Sequence, residues 1–144
     1  MSFDLDRFLV AQDGVYDDVQ NELGAGLKTT HWMWFVFPQA GGLGRSGTAR
    51  YYGIGSLEEA AAYAEHPVLG ARLRECCRLL LGTSGRSAGQ IFGHTDEQKL
   101  RSCMTLFQAV APDGHVFGEV LGRFYGGRLD PATEEILAGW RSQP

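Results

Sequence analysis

The stretch KTTHWMWFVFPQ, residues 28–39, is the most distinctive part of the sequence. It places two of the three tryptophans and two of the eight phenylalanines within six consecutive residues. The run from Trp32 to Phe37 is apolar at every position, so it is expected to be buried on both sides whatever its conformation. A lone strand cannot satisfy its backbone hydrogen bonds, and no other segment has a clear strand pattern. The pattern therefore favours a short helix or an extended buried segment.

A glycine-rich loop, AGGLGRSG at residues 40–47, follows this stretch directly. Its backbone N–H groups and the guanidinium of Arg45 are the components of an anion cradle. The loop contains neither of the established glycine-rich phosphate-binding motifs, and a plain flexible turn is the alternative. We expect the aromatic run to form the wall of a pocket and the loop to form its rim.

The rest of the sequence is patterned for helices. Apolar residues recur at three- and four-residue steps over residues 5–23. Gly14 interrupts them, which predicts two short helices or one kinked helix with Asp13 as an N-cap. Capping boxes predict helix starts at Ser56, Ser87 and Thr95. Further helices are predicted over roughly residues 57–65, 67–81, 88–92, 95–110 (ending before Pro112), 117–124 and 131–140, the last with Asp130 as N-cap. About seven helices with at most a minor strand predict a single compact all-α domain over residues 1–144.

The composition and charge of the sequence argue against several classes of protein. The net charge of −4 argues against general nucleic-acid binding, and no apolar run approaches the roughly 20 residues of a membrane span. The N-terminal residues lack a secretory signal pattern, and the three cysteines, two of them adjacent, suit a reduced compartment. We therefore expect a cytoplasmic protein. The histidines are scattered without metal-ligand spacing, so no metal site and no cofactor are predicted. The oligomeric state is left open.

Several blocks of the sequence resemble those of one bacterial family: residues 31–39, 42–44, 52–54, 56–60, 66–70, 91–93 and 99–107. On these blocks the chain is identified as a member of the domain of unknown function 1810 family, whose members are often mislabelled calpastatin. The resemblance implies a mainly helical, cytosolic, single-domain fold and supplies no activity. The order of an aromatic block, helices and a Met-x-Leu-Phe helix is also similar to the layout of the NADAR hydrolases, which act on ADP-ribose-type N-glycosidic bonds. That similarity does not identify a catalytic residue in this sequence.

Candidate site residues lie in and near the aromatic run. His31 could act as a general acid or base, or it could simply bond to the backbone. Trp32 and Trp34 could stack on a base or sugar ring, although core packing is the commoner role of a tryptophan with apolar neighbours. Gln39 is a polar amide that ends a buried run, and a ligand could be the partner that it needs.

A second group of candidates is charged or phenolic. Asp96 could stabilise a developing cation or orient water, or it could interact with the dipole of its helix. Lys99 lies three residues later on the same face and could bind an anion, as could Arg45, with Tyr52 nearby in the sequence. Lys99 and Ser102 share a face as well.

Two hypotheses follow. In the first, His31 and Asp96 are catalytic in a pocket for a nucleotide- or ADP-ribose-like anionic molecule. The ligand-binding residues would be Trp32, Trp34, Gln39, Arg45, Tyr52 and Lys99. An enzyme of this kind would be an N-glycosidase-like hydrolase in the first instance. In the second hypothesis, the chain is a non-catalytic protein-interaction module and the aromatic block is structural core.

Overall fold

Helices form the regular structure of the computed structural model, which describes residues 3–111 and 115–143. Within those ranges the helices are α1 (Asp6–Gln12), α2 (Tyr16–Ala25), α3 (Met33–Val36), α4 (Gly47–Tyr52), α5 (Leu57–Glu65), α6 (Leu69–Leu81), α7 (Ala88–Phe92), α8 (His94–Val110), α9 (His115–Tyr125) and α10 (Pro131–Arg141). The predicted all-α class is confirmed. The helix count exceeds the predicted seven partly because α4 lies in the glycine-rich region and has no buried residue, so it leaves no apolar periodicity in the sequence.

Helix starts follow the predicted capping residues in three places. Ser87 forms a complete capping box, because its hydroxyl accepts from the Gln90 N–H and the Gln90 side chain accepts from the Ser87 N–H. Asp130 caps α10, and Ser56 accepts from the Glu59 N–H at the start of α5. The Glu59 carboxylate, however, accepts from the Gly55 N–H instead of closing the box.

Two predicted caps are wrong. Thr95 lies inside α8, which begins at His94 because Gly93, at a φ of 86°, turns the chain directly out of α7 and serves as the N-cap. Asp13 follows the end of α1 as its C-cap, and Val15 precedes α2. Pro112, expected just after the end of α8, lies outside the described residues.

Helix α8 is the centre of the packing. It contacts α5, α7, α9 and α10, and residues 102–107 are all buried, so this part of the helix is enclosed on every side. Its first turns carry polar residues and reach the surface. Within the described ranges, none of the helices combines the length and apolar character needed to cross a bilayer.

The aromatic run forms a short helix that leads into a closed loop. Trp32, Met33, Val36 and Phe37 are buried, whereas Trp34 is only partly covered. Beyond the run, the Gly41 N–H donates to the Ile54 carbonyl at 2.7 Å, and the Ile54 N–H donates to the Gln39 carbonyl at 2.9 Å. These bonds tie the two ends of the segment 40–54 together and hold α4 beside the starts of α8 and α10.

Candidate functional site

A pocket of about 450 Å³ opens between the first turn of α8, the first turn of α10 and the glycine-rich loop. Its volume lies in the range of small-molecule sites, roughly 300–1,000 Å³. Its polar and aromatic lining consists of Trp34, Gln39, Arg45, Ser46, Thr95, Gln98, Lys99, Ser102 and Asp130. Four predicted ligand-binding residues, Trp34, Gln39, Arg45 and Lys99, therefore meet at one opening.

The wall of the pocket holds a fixed cation. The Lys99 ammonium lies over the Trp34 ring, 4.2 Å from its centroid, and 3.3 Å from Asp96 Oδ1. A cation over an indole face is attracted by the ring electrons, and the ion pair restrains it further. The Lys99 side chain is only 19% exposed, so its ammonium is positioned at the pocket wall instead of extending into solvent.

Asp96 lies behind that wall and does not line the pocket. Its carboxylate bridges two lysines, with Lys28 Nζ at 2.9 Å from Oδ2 and Lys99 Nζ at 3.3 Å from Oδ1. Two ammonium groups around one carboxylate leave a net positive charge beside the pocket. A catalytic role for Asp96 would have to be compatible with both ion pairs.

Glu22, which the sequence did not single out, anchors the segment before α3. Its carboxylate accepts from the backbone N–H groups of Thr29 and Thr30, the Thr30 hydroxyl and the Trp32 indole N–H, at 2.6–3.0 Å. Burial raises the pKa of Glu22, but hydrogen bonds from Thr30, Thr29 and Trp32 outweigh it and bring the pKa to about 2. The carboxylate therefore stays charged and fixes the approach to the aromatic run.

Three predicted site residues lie away from the pocket. Trp32 is 1% exposed and packs against Phe37 and Phe92, which makes it part of the core. Tyr52 is partly buried, and its ring lies 5.5 Å from that of Phe35; burial raises its pKa. His31 is exposed and is absent from the lining.

The pocket lies where two long helices begin. Thr95 belongs to the first turn of the 17-residue α8, whose N-cap glycine supplies no side-chain acceptor for the free N–H groups. Ala132 belongs to the first turn of α10. Helix starts carry partial positive charge and unpaired N–H groups, which favour a bound anion. At α10 the Asp130 carboxylate accepts the Thr133 N–H and Pro131 has no N–H, so this effect belongs mainly to the start of α8.

A chain of hydroxyl groups that ends on a carboxylate joins two residues of the pocket lining, Ser102 and Asp130, through the buried Thr133. Ser102 Oγ lies 2.7 Å from Thr133 Oγ1, and the Thr133 hydroxyl donates to Asp130 Oδ2 at 2.6 Å. Partial signals for this arrangement are present in the sequence, because Asp130 is predicted as a helix cap and Ser102 shares a face with Lys99. Their convergence depends on how α10 packs against α8. Among the residues that the structure describes, no cluster of three histidine, cysteine or acidic side chains could hold a metal ion.

Together, these features define the class of the protein: a small all-helical protein whose candidate site is a charged cleft with a tryptophan in its wall. The family described as "Protein of unknown function (DUF1810)" matches residues 2–137, and the chain belongs to that family. The crystal structure of the conserved hypothetical protein Rv1873 from Mycobacterium tuberculosis is similar, with a TM-score of 0.93 and 51% sequence identity over 94% of this chain and 97% of that chain. No curated protein matches the chain significantly. The predicted family membership is confirmed, and the family's description assigns it no function.

Proposed function

We propose that the protein binds a small anionic molecule in the pocket between α8, α10 and the glycine-rich loop. The observation that carries the proposal is the Lys99 ammonium held over the Trp34 ring at the pocket wall. Arg45, on the exposed rim, adds a second cation to the lining, and the first turn of α8 adds N–H groups. Asp130 is the one carboxylate among the described residues that line the pocket, so the charge balance there favours an anion.

A nucleotide- or ADP-ribose-like molecule is the first ligand class to test. Such a ligand combines an anionic group, which suits Lys99 and Arg45, with a flat ring that can pack against the partly exposed Trp34. The amides of Gln39 and Gln98 offer both donors and acceptors to the polar edge of a ring. The volume of about 450 Å³ is large enough for a ligand of this type.

Binding is favoured over hydrolysis by the placement of the candidate acid–base residues. His31 lies outside the lining, and Asp96 is held between two lysines. An N-glycosidase version of the function would need a carboxylate at the ligand, and among the described lining residues Asp130 supplies it. Incubation of the protein with NAD and ADP-ribose, followed by chromatography, tests that version directly.

Isothermal titration with AMP, ADP-ribose and NAD tests the binding proposal. We expect saturable heat with at least one of the three ligands. Lys99→Met should weaken that binding roughly 10- to 100-fold, because a charge-assisted hydrogen bond contributes about 1.5–3 kcal/mol. Arg45→Ala should weaken it less, because Arg45 is exposed.

Arg50→Ala is the matched control for Arg45→Ala, because Arg50 lies nearby on α4, is exposed and does not line the pocket. It should bind like the wild type. Flat heats across all three ligands would contradict the proposed ligand class, and equal loss in the Arg45 and Arg50 variants would contradict the assigned location.

A further inference from the structure

We infer that Ser102 and Asp130 make the pocket selective for anions that also carry hydroxyl groups, with sugar phosphates as the simplest class. The inference rests on the proposed anion site and concerns the opposite end of the same ligand. It is carried by the hydroxyl chain, defined here as Ser102, Thr133 and Asp130, whose two end residues, Ser102 and Asp130, line the pocket and are called its floor.

The direction of the hydrogen bonds in the hydroxyl chain is fixed by its carboxylate end. Asp130 Oδ2 accepts from the Thr133 N–H at 3.0 Å and from the Thr133 hydroxyl at 2.6 Å. A carboxylate accepts hydrogen bonds and donates none, so the only hydroxyl proton of Thr133 is used there. Thr133 is fully buried, so bulk solvent does not reach its hydroxyl. In the 2.7 Å contact between the two hydroxyls, Ser102 must therefore be the donor.

Ser102 consequently offers lone pairs to the pocket. A serine hydroxyl has one proton, which is committed to Thr133, and two acceptor positions. Ser102 is 2% exposed yet lines the pocket, so little solvent competes for its remaining acceptor positions. A ligand hydroxyl can donate to this oxygen, whereas an anionic oxygen would be repelled by it and by the adjacent Asp130.

These constraints orient the ligand. Its anionic group belongs near Lys99, and its hydroxyl groups belong near Ser102 and Asp130. Lys99 and Ser102 are three residues apart on α8, so their Cβ atoms are separated by about 5–6 Å. An anion without hydroxyl groups would leave the floor acceptors unpaired and should bind more weakly.

Two matched probes test the inference by isothermal titration: ribose 5-phosphate and (tetrahydrofuran-2-yl)methyl phosphate, which has the same ring and phosphate but no hydroxyl groups. Wild-type protein should bind ribose 5-phosphate at least about tenfold more tightly than the hydroxyl-free probe. A factor of this size is the effect of a well-formed hydrogen bond in a buried site. Ser102→Ala should lose most of that preference and bind the hydroxyl-free probe as the wild type does. Lys99→Met should weaken both probes to a similar extent.

Ser142→Ala serves as the control, because Ser142 is exposed and its hydroxyl donates to the Gly139 carbonyl far from the pocket lining. Both probes titrate the same preparation of Ser102→Ala, so partial unfolding lowers both stoichiometries and leaves the affinity ratio intact. Equal affinities in the wild type, or an unchanged ratio in Ser102→Ala, would overturn the hydroxyl selectivity and leave the anion site standing. Absence of binding by either probe would overturn the inference for sugar phosphates, while binding of AMP alone would still support the anion site.

Discussion

Replacing Glu22 by glutamine tests how the aromatic segment is anchored. The carboxylate accepts four hydrogen bonds, from two backbone N–H groups, one hydroxyl and the Trp32 indole. Glutamine keeps the shape but loses the charge and one acceptor oxygen. Hydrogen bonds to charged groups contribute roughly 1.5–3 kcal/mol each at most, and solvent weakens them at this partly exposed site. We therefore expect Glu22→Gln to lower the free energy of unfolding by about 2 kcal/mol at pH 7.

The effect of this substitution should depend on pH. The ordinary pKa of a glutamate is 4.5, and that of Glu22 in the folded protein is about 2. The charged carboxylate therefore stabilises the fold fully above about pH 4.5, and this contribution is lost as the pH falls towards 2. Glutamine does not titrate. The difference in stability between the wild type and Glu22→Gln should thus be constant near neutrality and shrink in acid.

Urea unfolding followed by circular dichroism at pH 7, 4 and 2.5 measures this difference. Glu119→Gln is the matched control, because Glu119 is exposed on α9, and its substitution should change stability by less than about 0.5 kcal/mol. A Glu22→Gln variant as stable as the wild type at pH 7, or a gap that persists unchanged in acid, would refute the anchoring role of the carboxylate.

Two further predictions concern packing and the thiols. A Cβ added at Gly70 would lie 2.2 Å from the Ala64 carbonyl oxygen, so Gly70→Ala should destabilise the protein by about 1–3 kcal/mol or more. Gly122→Ala meets open space within α9 and should stabilise the protein by about 0.5–1 kcal/mol. Equal effects of the two substitutions in urea unfolding would contradict this prediction. Burial raises the pKa of Cys76 to about 12 and the pKa of Cys77 and Cys103 well above the usual value. The native protein should therefore resist alkylation by iodoacetamide at pH 8, whereas the protein unfolded in urea should be alkylated at every thiol. Rapid alkylation without urea would contradict the buried placement.

Local sequence patterns predicted much of the helical fold. Ser87 and Asp130 were recognised as caps because their hydrogen bonds close within three residues. The N-cap predicted at Thr95 is wrong because the backbone conformation of Gly93 starts α8. A sequence pattern cannot distinguish that start from a capping box two residues later. Local rules succeed where the partner of a residue is itself local.

The site was predicted only in part for the same reason. Trp32 and Trp34 have similar neighbours in the sequence, yet Trp32 precedes α3 as its N-cap and Trp34 lies within the helix, so one enters the core and the other lines the pocket. Because every residue of the run is apolar, the sequence does not show which tryptophan is buried and which lines the pocket. Ser102 and Asp130 come together through the packing of α10 on α8, in which Ser102 contacts Thr133, 31 residues away, and no periodicity in the sequence reveals this contact.

The most direct test of the anion pocket is a ¹H–¹⁵N spectrum of the three tryptophan indole N–H groups during titration with ribose 5-phosphate and AMP. Substituting each tryptophan by phenylalanine assigns the signals. The pocket predicts that the Trp34 signal shifts in a saturable manner while that of Trp140, on α10 outside the lining, stays in place. A Trp34 signal that does not move with either ligand, or equal shifts of all three signals, would contradict a binding site beside Trp34 and Lys99.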